Sequence, residues 1–185
     1  MYCAFSIING VLMHQGLGLA AFNELPMRKA VHALYECCNS VPMAGDLARG
    51  RPYPNHRALF RKADALLFSL SEPSIDDILQ AYPKVGSRPG SIHSHAEQCA
   101  LWDERPGVMQ LLDSSAADYA DKFGFQFVMY VAPDCPVSSV IAAIADRMHN
   151  DLDTERKVLR NEIAKLNRSR LDRMLGPEGG YDNWA

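Results

Sequence analysis

An all-α fold is predicted by three observations. Apolar residues recur at helical spacing along most of the 185 residues. Pro, Gly, Ser and Asn divide these runs into pieces of helix length. Only one run, Phe123 to Val131, is β-like, and one short strand has no partner with which to build a sheet. The expected architecture is an irregular bundle of about seven to nine helices, unequal in length and joined by several long loops.

The elements follow in order. Leu25-Pro26 opens a helix, since Pro is tolerated in the first turn, and Met27, Ala30, Val31, Leu34, Tyr35 and Cys38 give its apolar face; Asn39-Ser40 and Pro42 end it. A short helix over Met43 to Ala48 precedes the Gly50-Arg51-Pro52-Tyr53-Pro54 loop. His56 to Leu70 is the next helix, and Ser71 to Ser74 reads as a break. Ser74 is expected to cap a helix that has Asp76 and Asp77 in its first turn and stops at Pro83. Ser94 and Glu97 form an S-x-x-E capping box for a helix reaching about Trp102. Helices over Val108 to Lys122, Pro136 to Asn150 and Asp153 to Leu175 complete the set, the last with a stripe of Val158, Leu159, Ile163, Leu166, Leu171 and Leu175. Phe123 to Val131 is expected to be a buried extended linker. Residues 1–18 read as a leader, 19–176 as a single helical domain and 177–185 as a tail.

Composition narrows the function. A 48% apolar share with 22% charged residues is that of a soluble globular protein. A net charge of −3 argues against a general nucleic-acid binder, which needs a basic surface. The apolar start has no preceding Lys or Arg and is interrupted by Asn9, Gly10 and His14, so neither a secretory signal nor a membrane span is expected. Five Cys, with an adjacent pair and no C-x-x-C, suit a reducing cytoplasm better than a disulfide framework.

Candidate chemistry gathers between Tyr82 and Gln98, where an irregular, Gly- and Pro-rich loop leads into His93, Ser94, His95, Glu97 and Gln98. Glu97 is either a capping acid or a carboxylate able to orient or deprotonate a small substrate. His93 and His95 are either solvated loop residues or candidates for proton transfer, since the reference pKa of imidazole lies near neutrality. No metal is expected, because histidines at i and i+2 diverge on a helix and no distant Cys/His pair completes a site. Tyr82, set before Pro83, is either a packed aromatic at a helix end or a hydroxyl donor to an anion. Arg147 is either an exposed residue near a helix C-terminus or a carboxylate clamp, with Asp146 able to neutralise it.

Six segments occur in a fixed order: F-N-E-L-P at 22–26, G-R-P-Y at 50–53, I-L-Q-A-Y-P-K-V-G at 78–86, S-H-A-E-Q at 94–98, Y-A-D-K-F-G-F at 119–125 and A-D-R-M-H-N at 145–150. Together they resemble the OHCU decarboxylase family (2-oxo-4-hydroxy-4-carboxy-5-ureidoimidazoline decarboxylase), which performs the last step from urate to (S)-allantoin. The resemblance implies an all-helical homodimer acting on a small molecule without metal or organic cofactor. It implies that Ser94, Glu97 and Gln98 meet the polar ring and hydroxyl of the substrate. Arg147 would hold an anionic or carbonyl oxygen, and Phe127, Val128 and Met129 would line the ureido end. Pro83 and His95 complete the expected lining. This chain departs from the family pattern at Tyr82, where the family carries its catalytic histidine, and at Ala116 and Gln126, where it carries an asparagine and a proline. Tyr82 stands with Glu97 and Arg147 in the expected catalytic set. A repurposed enzyme of specialised metabolism, or a catalytically silent binding protein on the same fold, are the alternatives.

Overall fold

The computed structural model describes residues 16–82, 85, 103–105, 107–132 and 135–176. Among them are eight helices and no strand: α1 Leu19–Glu24, α2 Met27–Cys38, α3 Val41–Arg49, α4 His56–Ser69, α5 Glu72–Gln80, α6 Val108–Phe123, α7 Val137–Arg147 and α8 Leu152–Leu175. The all-α expectation holds. The expected helix over 94–102 and the tail lie outside the described residues. The chain divides into two compact units, one of residues 1–62 with 169–185 and one of residues 63–168, so the boundaries fall inside α4 and α8.

In the first unit, α2 and α3 pack against each other around Ala30, Ala33, Leu34, Met43, Ala44 and Leu47, all fully buried or nearly so. Asn39 ends α2 in the left-handed region (φ 52°) and returns its N–H to the Tyr35 carbonyl, a conformation that Asn tolerates better than other side chains. The next residue begins α3 rather than ending α2. Ser40 Oγ accepts the Met43 N–H at 3.4 Å, and Pro42 sits in the first turn, where its missing N–H costs nothing. Arg51 closes the end of α1 by donating from Nη1 to the carbonyls of Phe22 (2.8 Å), Asn23 (3.2 Å) and Leu25 (2.7 Å). Residues 16–18, the last of the expected leader, donate their N–H groups to the carbonyls of Arg173, Met174 and Leu175, the final turn of α8. Cys37 and Cys38 are buried; burial pushes both thiols up, Cys38 to about 11, so they act as core residues and not as nucleophiles.

In the second unit, α5 starts a turn earlier than its sequence suggests. Ser71 is the cap, its Oγ accepting the Ser74 N–H, and Pro73 lies inside the first turn. The expected break is thus helical, and Ser74 is not the cap. Arg160 of α8 closes the end of α4 through the carbonyls of Leu67 (3.1 Å) and Leu70 (3.0 Å) and pairs with Glu72 at 2.5 Å. Arg156 pairs with Asp76 at 2.5 Å and lies over the Phe125 ring. These contacts fix α5 beside α8 with opposite chain direction, since four residues forward on α8 match four residues back on α5. α6 packs on α7 and ends at Gly124, whose φ of 78° favours glycine.

The expected linker over 123–131 is shorter than its sequence suggests, since Phe123 ends α6; residues 125–132 have no regular secondary structure, and Phe125, Phe127 and Val128 are buried. Tyr119 stacks edge-on to Phe125 and Phe127, with centroids 5.9 and 5.1 Å away, a favoured aromatic geometry. No helix of the described residues is long and apolar enough to cross a membrane.

Helix α8 departs from a simple apolar stripe. Glu155, Arg160, Asn167 and Arg170 are buried along with its aliphatic residues, while Val158 is only half-buried. Asn167 is 2% exposed, and neither atom of its amide has a hydrogen-bond partner among the described residues. An orphaned buried polar group costs about 1–3 kcal/mol. Asn167→Leu, similar in shape and apolar, is therefore expected to raise the unfolding free energy by about that amount, measured from the urea midpoint at unchanged slope. A loss of stability would show that the amide is in use.

Candidate active site

Five of the expected site residues lie in the described structure, all in the second unit: Tyr82, Phe127, Val128, Met129 and Arg147. Pro83, Ser94, His95, Glu97 and Gln98 lie outside the described residues, as does the H-x-H-x-E pattern. Among the described residues no three His, Cys, Asp or Glu side chains are grouped to hold a metal ion.

Tyr82 stands just past α5, 7% exposed, with its N–H donating to the Leu79 carbonyl at 3.0 Å. The Gln126 amide reaches back to this helix end. Its Nε2 donates to the carbonyl of Leu79 and, at 3.1 Å, to that of Tyr82. A proline at position 126 has no such donor. Two of the positions expected from sequence to depart from the family pattern are therefore bonded to each other, through the Tyr82 backbone.

Arg147 is neither exposed nor neutralised by Asp146, which points to solvent. It is 9% exposed, and its partner is Glu155, which is completely buried. Glu155 Oε1 lies 2.7 Å from Arg147 Nε and 2.5 Å from Nη2, and it also accepts the Tyr119 hydroxyl at 2.5 Å. The second oxygen accepts the Asn150 amide at 2.7 Å. Arg147 Nη2 further donates to the Tyr119 hydroxyl at 3.1 Å, and Nη1 donates to the Val128 carbonyl at 2.8 Å. The guanidinium lies against the rings of Phe127 and Tyr119, 4.5 and 5.5 Å from their centroids. Burial, and then donation to Glu155, push the Tyr119 phenol well above its ordinary range. It therefore remains a donor across the physiological pH range.

The site's linker is thus held along its length. Arg156 covers Phe125, Gln126 reaches the end of α5, Arg147 holds the Val128 carbonyl, and Glu162 Oε2 accepts the Tyr130 N–H at 2.8 Å. Tyr119, Gln126, Glu155 and Glu162 have no place among the residues expected from sequence. Tyr119 does fall in one of the six diagnostic segments, and Glu155 follows the Asp151 cap of α8, whose Oδ1 accepts the Thr154 N–H. Position alone did not mark either as a partner of Arg147.

Comparisons with known proteins agree with this frame. Residues 23–172 match the family model described as OHCU decarboxylase. The chain is 27% identical over 166 residues to the uric acid degradation bifunctional protein of Bacillus sp. (strain TB-90), covering 85% of this chain and 32% of that protein. It is 29% identical over 107 residues to the 2-oxo-4-hydroxy-4-carboxy-5-ureidoimidazoline decarboxylase of Halalkalicoccus jeotgali, covering 56% of this chain and 60% of that relative. It therefore spans only about a third and three fifths of the lengths of these two curated relatives. Among solved structures, an OHCU decarboxylase in the presence of (S)-allantoin matches with a TM-score of 0.67 and 20% identity, over 76% of this chain and 95% of the other. An (S)-allantoin synthase matches with a TM-score of 0.69 and 16% identity, over 86% of this chain and 54% of the other. These likenesses establish the fold.

Removing one member of a buried charge pair strands the other. Glu155→Ala is expected to cost about 3–5 kcal/mol, whereas Asp146→Ala, on the exposed side of the same turn, should stay within about 0.5 kcal/mol of the parent. Paired urea titrations check both values; equal effects would show that Glu155 is not the partner that matters.

Proposed function

Because the chain belongs to the OHCU decarboxylase family, we propose that it is a cofactor-independent carboxy-lyase for 2-oxo-4-hydroxy-4-carboxy-5-ureidoimidazoline or a closely similar ureide-like carboxylate, the last step from urate to (S)-allantoin. The family match over residues 23–172 carries the reading. The names of the relatives, drawn from uric acid degradation and this decarboxylation, favour it over a silent binding protein. The backbone of the linker supports it chemically. The N–H groups of Phe127, Val128 and Met129, and the carbonyls of Phe127 and Met129, make no hydrogen bond among the described residues. A ureido group offers donors and an acceptor in one plane, which suits such an edge.

In this reaction the bond between the ring carbon and the carboxylate breaks. Its electron pair passes into the substrate's own ring, carbon dioxide leaves, and a proton is taken up. The protein's task is orientation and electrostatic support. Glu97, with Ser94 and Gln98, would hold the ring and hydroxyl and manage the proton. Pro83 and His95 would complete the lining, and Phe127 to Met129 would take the ureido end. Tyr82 would donate a hydrogen bond where the family has an imidazole, since a phenol with an ordinary pKa of about 10 is a poor neutral-pH base. The reading carries with it a homodimer in the cytoplasm, and the free thiols of Cys37, Cys38 and Cys135 suit a reducing compartment.

The test generates the substrate enzymatically and follows allantoin by circular dichroism. Wild-type protein should accelerate its formation; a rate equal to the spontaneous one sinks the proposal. Glu97→Gln should abolish the acceleration with unchanged helix content, and retained turnover would remove Glu97 from the mechanism. Tyr82→His should raise the rate. An unchanged rate would mean that the pocket differs from its relatives by more than that side chain.

A further inference from the structure

We infer that Arg147 and Glu162 are positioning residues that aim the N–H and the C=O of Met129 at the ligand, Arg147 acting through the Val128 carbonyl. The identity of the ligand rests on the function proposed above; the aiming rests on geometry. A peptide unit is planar and trans, so its N–H and C=O point in opposite directions. The Val128 carbonyl and the Met129 N–H belong to one such unit. Arg147 Nη1 holds that carbonyl at 2.8 Å, which turns the Met129 N–H away from the guanidinium. The Met129 carbonyl and the Tyr130 N–H belong to the next unit. Glu162 Oε2 holds that N–H at 2.8 Å, which turns the Met129 carbonyl away from α8.

Both anchors are themselves held. Glu155 and Tyr119 occupy Nε and Nη2 of Arg147, leaving one N–H of Nη1 uncommitted, and Lys165 pairs with Glu162 at 2.6 Å. Met129 itself is partly exposed, and its N–H and C=O have no partner among the described residues. One residue thus presents a fixed donor and a fixed acceptor, the pattern that a planar urea or amide complements.

The test uses variants that remove nothing expected to touch the ligand. Tyr119→Phe deletes only the hydroxyl that braces Arg147, and Glu162→Ala deletes the second anchor; Ile75→Val is a core control. The probe is (S)-allantoin, titrated against the backbone amide signal of Met129. Each anchor variant should weaken binding about tenfold, the value of roughly one well-placed hydrogen bond, and lower the Met129 order parameter from about 0.85 towards about 0.6. The control should change neither. Binding and order parameters within about twofold and 0.1 of wild type in both anchor variants overturn the positioning role. If wild-type protein neither binds (S)-allantoin nor accelerates its formation, the functional reading fails instead, and the order parameters alone still decide the positioning.

Discussion

Arg147 carries a positive charge into a nearly dry interior, where an ion without partners would cost several kcal/mol. Everything around it is arranged to meet that cost. Glu155 supplies the opposite charge, Tyr119 and Asn150 bond the same carboxylate, two aromatic faces flank the cation, and the Val128 carbonyl takes what is left. Each partner comes from a different piece of chain. Tyr119 is on α6, Val128 on the linker, Arg147 at the end of α7, Asn150 on the turn that follows, and Glu155 at the start of α8. The pair therefore joins three helices and the linker in a single arrangement. Replacing it with apolar residues of similar volume could leave the fold equally stable, but the Val128 carbonyl would then be without a donor.

Most of the helical framework was legible in sequence because helix periodicity survives wherever one face is apolar and the other wet. The readings for α2, α4, α6 and α8 fall close to the observed ends. The early start of α5 was missed for a chemical reason. Ser71 and Ser74 are both competent caps, Asp76 and Asp77 suit a later first turn, and Pro73 looks like a breaker although the first turn tolerates it. The six residues of α1 are too few to show a period. The burial of α8 was only half legible, because an apolar stripe cannot reveal that Glu155, Arg160 and Asn167 face inward as well.

The site was less legible than the fold. The sequence marks Arg147 as a candidate, but its partner is a carboxylate eight positions later, across the turn between α7 and α8. No local rule pairs residues at that spacing, whereas Asp146, beside it in sequence, points the other way. Gln126 looked like a mere loss of the family's proline. Only the position of α5 shows that its amide has acceptors at Leu79 and Tyr82. Backbone groups such as those of Met129 have no signature at all, since every residue but proline carries the same N–H and C=O.

Among the described residues, four helix ends are finished by side chains from elsewhere in the chain. Arg51 closes α1, Arg160 closes α4, Gln126 bonds the Leu79 carbonyl of α5 and the Tyr82 carbonyl just past it, and Lys122 bonds the Met148 and Asn150 carbonyls after α7. Their donors lie between 26 and 93 residues away in the chain. Local sequence does not supply these donors. The contrast is sharpest in α4 and α5, whose first turns are capped from three residues away, by Asn55 accepting the Ala58 N–H and Ser71 accepting the Ser74 N–H, while their last turns depend on Arg160 and Gln126. Where a helix end depends on such a donor, unlike the ends of α2 and α6 at Asn39 and Gly124, it is complete only in the assembled chain.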